Sequence, residues 1–129
     1  MKRLTYLLLS TITLACAASC SKDDATPAGP REYHVEYRIS STTAPTSDYI
    51  SYDNESGGTT TLNNVPLPAT YRFKRTMKQG DHLSLLASLD GGTAALEITA
   101  SILLDGREVK KETGRGADAQ VVPVYVIGQ

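Results

Sequence analysis

The sequence predicts an all-β domain, an antiparallel β-sandwich of about seven strands, behind an N-terminal export segment. Three observations carry this reading. Apolar and polar residues alternate in short runs from Glu32 to the C-terminus. Glycine- and asparagine-containing turn signals separate those runs at the spacing of a sandwich. No stretch after Glu32 has the periodicity of an amphipathic helix.

The runs are taken in chain order. Val35, Tyr37 and Ile39 share one face, and His34, Glu36 and Arg38 the other. Ile50 and Tyr52 alternate with Ser51 and Asp53, and Tyr71 and Phe73 with Arg72 and Lys74. Leu83, Leu85, Ala87 and Leu89 form the cleanest period of two. Leu96, Ile98, Ala100, Ile102 and Leu104 follow, with Glu97, Thr99 and Ser101 between them. Val121 to Ile127 is apolar at both parities, which predicts a last strand covered on both faces. Pro123 inside it predicts an edge or a bulge.

The expected turns are Asn54–Gly58, Asn63-Asn64, Gln79-Gly80-Asp81, Asp90-Gly91-Gly92, Asp105-Gly106 and Gly114-Arg115-Gly116. Asp105-Gly106 is the sharpest, because Leu103-Leu104 and Arg107-Glu108-Val109 flank it closely. It predicts a two-residue type I′ hairpin. Pro66 and Pro68 around Leu67 predict an edge or a strand entry. Counted this way, residues 32–129 carry seven or eight short strands. A domain of that size buries about 60–65% of its unfolded surface, enough for a sandwich without disulfides.

The first segment is an address. Met1-Lys2-Arg3 is a positive start, and Leu4 to Ala18 is an apolar stretch that contains Leu7-Leu8-Leu9 and is interrupted by Ser10, Thr11 and Thr13. That is the pattern of a secretory signal peptide, and it is shorter than the roughly 20 residues a membrane-spanning helix needs. Ala17-Ala18-Ser19-Cys20 follows, and small residues before a cysteine resemble the lipobox of bacterial lipoproteins. The resemblance implies cleavage before Cys20 and lipidation of its thiol. Cys16, preceded by Ala15, is the rival position, and a disulfide between the two would close only a tiny loop. Diacylglycerol and an acylated amine give enough buried methylenes, at about 0.8 kcal/mol each, for stable anchoring.

Ser21-Lys22-Asp23-Asp24 resembles the lipoprotein export signal of Bacteroidota. Lys22, Asp23 and Asp24 would then direct the anchored protein to the outer face of the outer membrane. The alternative is a solvated tether on the periplasmic face. Ala25 to Pro30 continues as a Pro/Gly-containing linker. The expected organisation is a signal peptide over 1–19, a lipidated cysteine and tether over 20–31, and a sandwich over 32–129. The tether spans at most about 40 Å, so the domain stays near the lipid.

Composition removes several function classes. The chain is 40% hydrophobic and 21% charged, with ten Gly and six Pro, unlike collagen or a wholly disordered chain. Without Lys2 and Arg3, the 13 basic residues fall to 11 against 14 acidic ones, a net of −3. A mildly acidic domain has no footprint for nucleic acid. Arg72, Lys74, Arg75 and Lys78 form the densest basic stretch, read as the solvated face of a strand.

No catalytic constellation stands out. His34 and His82 are the only histidines and lie far apart, and no nucleophile elbow or phosphate loop occurs. No metal site is expected. Asp53-Asn54-Glu55 has oxygen ligands but lacks the spacing of a calcium loop, and it reads as a solvated turn. Tyr33, Tyr37, Tyr49, Tyr52 and Tyr71 fall in the first half of the domain, either as half-buried core or as a contact surface.

An ordered set of segments is similar to the soluble domain of the mycobacterial membrane protein small (MmpS) family. It runs from Val35-Glu36-Tyr37 through Ile50-Ser51-Tyr52 and Asn64-Val65-Pro66-Leu67-Pro68 to Leu83-Ser84-Leu85. Ile102-Leu103-Leu104-Asp105-Gly106-Arg107-Glu108-Val109 and Gly116-Ala117-Asp118-Ala119 complete it. The resemblance implies an immunoglobulin-like sandwich that assists a large transporter in exporting lipids or siderophores. The sequence therefore gives two expectations: a non-enzymatic binding or accessory module without a cofactor, or an accessory subunit of an envelope export or efflux transporter. The expected partners are the membrane, through the lipid, and a transporter or another envelope protein.

Overall fold

The computed structural model describes residues 29–92 and 94–129. They form nine strands: β1 (Arg31–Ser40), β2 (Thr46–Asp53), β3 (Thr59–Pro66), β4 (Ala69–Met77), β5 (His82–Leu89), β6 (Glu97–Leu104), β7 (Arg107–Arg115), β8 (Ala119–Val121) and β9 (Val124–Val126). One sheet has the order β4-β1-β6-β7. The other has the order β3-β2-β5-β8, with β9 also paired to β5. Every pairing is antiparallel.

The fold class is the one the alternation predicts. In the usual immunoglobulin order, β1 and β4 occupy the places of strands B and E. The run β3-β2-β5-β8 occupies those of C′-C-F-G. The β6–β7 hairpin lies beside β1, where strand A would be. The inward parities form one core: Val35, Tyr37 and Ile39 from β1, Leu83, Leu85, Ala87 and Leu89 from β5, and Ile98, Ala100 and Ile102 from β6. Each fully buried Leu or Ile contributes about 1.5–3 kcal/mol of transfer free energy.

Nine strands replace about seven for two local reasons. Strand β3 has only Leu62 and Val65 as large apolar residues, and Asn63-Asn64 reads as a turn. The segment is instead an edge strand paired along β2, with Asn64 at φ 52° and no partner of its own in the ladder. Threonines at 59, 60 and 61 supply the β-branched backbone preference. The last apolar run is split by Pro123 into β8 and β9. It is not covered on both faces: Val121 and Pro123 are buried, whereas Val122 and Val124 are each 42% exposed. Gly114 and Arg115 belong to β7, so the turn there starts at Gly116. The sequence places His82 in the turn with Gly80-Asp81, and it opens β5 instead.

Asp105 and Gly106 have φ values of 50° and 81°, the paired positive angles of a type I′ turn. Leu104 pairs with Arg107 across it. Gly114 is required for a different reason. A Cβ there would lie 2.2 Å from the Gln120 carbonyl oxygen, so only glycine lets β7 approach β8.

Two substitutions test these positions. Gly106→Val places a β-branched residue at positive φ and is expected to cost about 1–3 kcal/mol. Gly114→Ala forces the β7 and β8 backbones apart and is expected to cost about as much. Each kcal/mol lowers the melting temperature by about 4–8 °C in a domain of this size. Unchanged melting of either variant would contradict the turn or the close approach.

Candidate functional site

The site is a cleft of about 460 Å³ between the two sheets, at the end where the chain enters β1. Arg31, the first residue of β1, stands on its rim, although the sequence assigns it to the tether. Tyr33 and Leu104 share the inward parity of Val35 and give the cleft one wall. Tyr125 and Ile127, from β9 and the residues after it, give the opposite wall. Val109 of β7 closes the back, and Asp105 and Arg107 of the hairpin complete the rim.

The rim is organised by Asp105. Its Oδ1 accepts a hydrogen bond from the His34 backbone N–H at 3.0 Å, and its own N–H donates to the His34 carbonyl at 2.9 Å. Its Oδ2 accepts from the Arg31 guanidinium at 3.1 Å. That guanidinium also lies 3.7 Å from the Tyr33 ring centroid, a cation–π contact. The His34 amide, followed by Arg31, holds the Asp105 carboxyl below the usual aspartate range. Arg107 is exposed and has no ion pair among the described residues.

Chemically, the cleft offers the Arg107 guanidinium, the Arg31–Asp105 ion pair, two phenols and apolar Leu104, Val109 and Ile127. This suits a ligand or partner segment with an anionic head beside an apolar or aromatic body. Among the described residues, no group of three His, Cys, Asp or Glu side chains could hold a metal ion.

The other candidates have structural explanations. His34 is exposed on the outer face of β1. His82 is exposed at the start of β5, with Nε2 3.8 Å from Asp53 Oδ2. The Asp53 carboxylate accepts from the Ser84 N–H at 2.8 Å, which ties β2 to β5. Asn54 Oδ1 accepts from the amides of Ser56 and Gly58, so this oxygen braces its own turn. Of the tyrosines, Tyr37, Tyr52 and Tyr71 pack together with Phe73 inside the sandwich, and Tyr33 lines the cleft. Arg72 pairs with Glu36 at 3.2 Å and Lys74 with Glu32 at 3.8 Å, on the solvated face of β4 as expected. Arg75 instead is half-buried at the inward parity of Tyr71 and Phe73, with its guanidinium donating to the His82 carbonyl at 3.5 Å, and Lys78 lies beyond β4. Cys20, its rival Cys16, and Lys22, Asp23 and Asp24 lie outside the described residues.

Sequence reasoning missed the cleft. Its members come from three separate segments, and Arg31 and Asp105 are 74 residues apart. The one local signal was the Asp-Gly turn, which places Asp105 and Arg107 together. No protein-family model matches this chain, and no curated protein matches it.

The Asp105 clamp has a pH signature. A carboxyl whose folded pKa is depressed contributes stability above its unfolded pKa. That stability is lost as pH falls through the folded value. Asp105 behaves this way, as does Glu36, which Arg38 and then Arg72 hold down. The melting temperature is therefore expected to fall from about pH 4 downward. Asp105→Asn keeps a residue tolerant of positive φ but removes the charge. Thermal melts from pH 7 to pH 2 should show a shallower acid decline in this variant. A decline equal to that of the unsubstituted protein would remove Asp105 from the account.

Proposed function

We propose that this protein is an envelope lipoprotein whose sandwich is a non-enzymatic binding module held at the membrane surface. The observation that carries the reading is the position of the cleft. It opens beside Arg31, where the chain arrives from the tether, so anchoring at Cys20 holds the binding site toward the lipid. The lipobox-like Ala17-Ala18-Ser19-Cys20 supports the anchor, and Lys22-Asp23-Asp24 supports display on the outer face of the outer membrane. Arg107, which has no ion pair among the described residues, and the two tyrosines of the cleft support an amphiphilic, anionic ligand.

A second reading is an accessory subunit of an envelope export or efflux transporter. The MmpS-like order of segments favours it, and the same cleft would then receive a transporter segment or the exported amphiphile. In that case the periplasmic face of the outer membrane is the expected location.

The anchor is tested by metabolic acyl labelling. Cys20→Ala is expected to abolish the label and Cys16→Ala to retain it, and the reverse pattern would move the anchor to Cys16. Replacing Lys22, Asp23 and Asp24 with Ala should leave acylation and folding intact. It should also move the domain from the outer to the periplasmic face, read by protease accessibility on intact and lysed cells. Protection of the unsubstituted protein in intact cells would contradict surface display and favour the accessory reading.

The cleft is tested separately by in-cell crosslinking and affinity purification of the full chain. Tyr125→Ala combined with Arg107→Ala removes an aromatic wall and a rim cation. What the unsubstituted chain retains should be lost or reduced about tenfold, the effect of 1.4 kcal/mol. Equal retention by the variant would place the binding surface elsewhere.

A further inference from the structure

The last apolar run has two faces, and the fold covers only one. Val121 and Pro123 point into the sandwich and are buried, while Tyr125 lines the cleft. The register pairs Ala87 with Val121, Ser84 with Val124 and His82 with Val126. This puts Val122, Val124 and Val126 in one column on the outer face of the five-stranded sheet, with Val122 opposite Leu86. Val122 and Val124 are the exposed large hydrophobic residues among those described. A strand apolar at both parities is the pattern of burial on both sides.

The rest of that face carries charge only at one end, where His82 Nε2 lies 3.8 Å from Asp53 Oδ2. Next to Leu86 and the valine column, β2 contributes Tyr49 and Ser51, and β3 contributes Thr61 and Asn63. The Asp53 carboxylate at its end is tied to the Ser84 N–H. The outer face of the other sheet is the opposite, with Glu32, Glu36, Arg38, Arg72 and Lys74 forming ion pairs across β1 and β4. An apolar centre within a polar surround that is charged only at one end is the composition of a contact surface.

We infer that the outer face of the five-stranded sheet is the contact surface for a second copy of this chain, stacked face to face. Three arguments select this occupant. A face whose one carboxylate is held by the Ser84 N–H beside His82 meets its own copy with little like-charge repulsion and offers little to a strongly charged partner. A two-fold axis along the strands also places both Arg31 residues at the same end, so both tethers reach one membrane. Antiparallel edge pairing through β3 would put those ends on opposite sides. This second argument rests on the anchored reading above.

The third argument is size. Four strand positions at about 4.8 Å and eight residues at about 3.4 Å give about 500 Å² per copy. The total of about 1,000 Å² is near the lower bound for a specific interface, which makes the dimer weak in solution. Confinement of both copies to one surface raises their effective concentration.

The test uses the full chain in cells. Residue 122 lies at the β8–β9 edge, so its two copies are about three strand spacings apart. Val122→Cys, treated with a bismaleimide long enough to cross the stacked face, is expected to give a species of twice the chain mass, measured against the unsubstituted chain. Thr76→Cys, on the charged outer face of the other sheet, is expected to give none. Val124→Glu added to Val122→Cys should reduce the dimer about tenfold. Thr61→Lys, which touches no core residue, should reduce it in the same direction. Protease resistance shows that each variant is folded. No dimer through residue 122, an equal yield through residue 76, indifference to both added charges, or a crosslink to a chain of another mass would each overturn the inference. Acyl labelling of the same cells keeps the two readings apart. An acylated chain without dimer overturns the contact alone, and a dimer of unacylated chains keeps the contact and overturns the anchor.

Discussion

Tyr37 ties the two sheets together. It is wholly buried on β1, and its hydroxyl donates to the Asp53 carbonyl at the end of β2, 2.9 Å away. A buried phenol without that acceptor would cost about 1–3 kcal/mol, so the bond fixes where β2 ends relative to β1. The Asp53 carboxylate then accepts from Ser84 on β5, and the constraint passes across the second sheet. The ring of Tyr37 meets Tyr52 at 5.4 Å and Phe73 at 5.6 Å, and Tyr52 stacks on Tyr71 at 4.7 Å. Burial, with the Asp53 charge adding to it, pushes the phenol's pKa well above the usual tyrosine range, so it remains a donor.

The cleft follows from how the opposite edges of the two sheets meet. At Gly114 the β7 and β8 backbones approach too closely for any side chain, and the sandwich closes there. Away from that point Pro123 interrupts the pairing of the last strand with β5, and β9 resumes it over only three residues. The space between β7 and β9 is filled from the sides by Val109, Tyr125 and Ile127 and stays open at the rim. Asp105 then keeps the hairpin against β1, so the rim has a fixed shape although the turn itself projects into solvent.

What was legible in the sequence depended on the range of the physics involved. Leu83, Leu85, Ala87 and Leu89 could be read directly, because a half-buried strand needs only a period of two, and all four are buried. Asp105-Gly106 was equally readable, since both turn angles are set by the residues that adopt them. Strand β3 was hidden because its hydrogen bonds to β2 place it, while its threonines and Asn63-Asn64 carry little apolar pattern. The cleft was hidden because Arg31, Asp105 and Tyr125 are neighbours only after the topology is fixed. The proposed lipobox and charged tether are linear signals, so Cys20 and Lys22-Asp23-Asp24 are proposed from the sequence without any fold.

The valine run shows where a correct pattern leads to an incomplete conclusion. Reading burial on both faces from Val121 to Ile127 assumes that the chain supplies both covers, and this sandwich supplies one. The two faces are joined through β9 itself. Tyr125 points from it into the cleft, while Val124 and Val126 point from it to the outer face. Three residues paired to a single neighbour are among the least protected parts of such a sheet. A cover over Val124 and Val126 would remove apolar surface from water and hold β9 against β5. The wall that Tyr125 gives the cleft would be steadied by the same contact. The face and the cleft are therefore two sides of one short strand, and the stability of that strand is common to both.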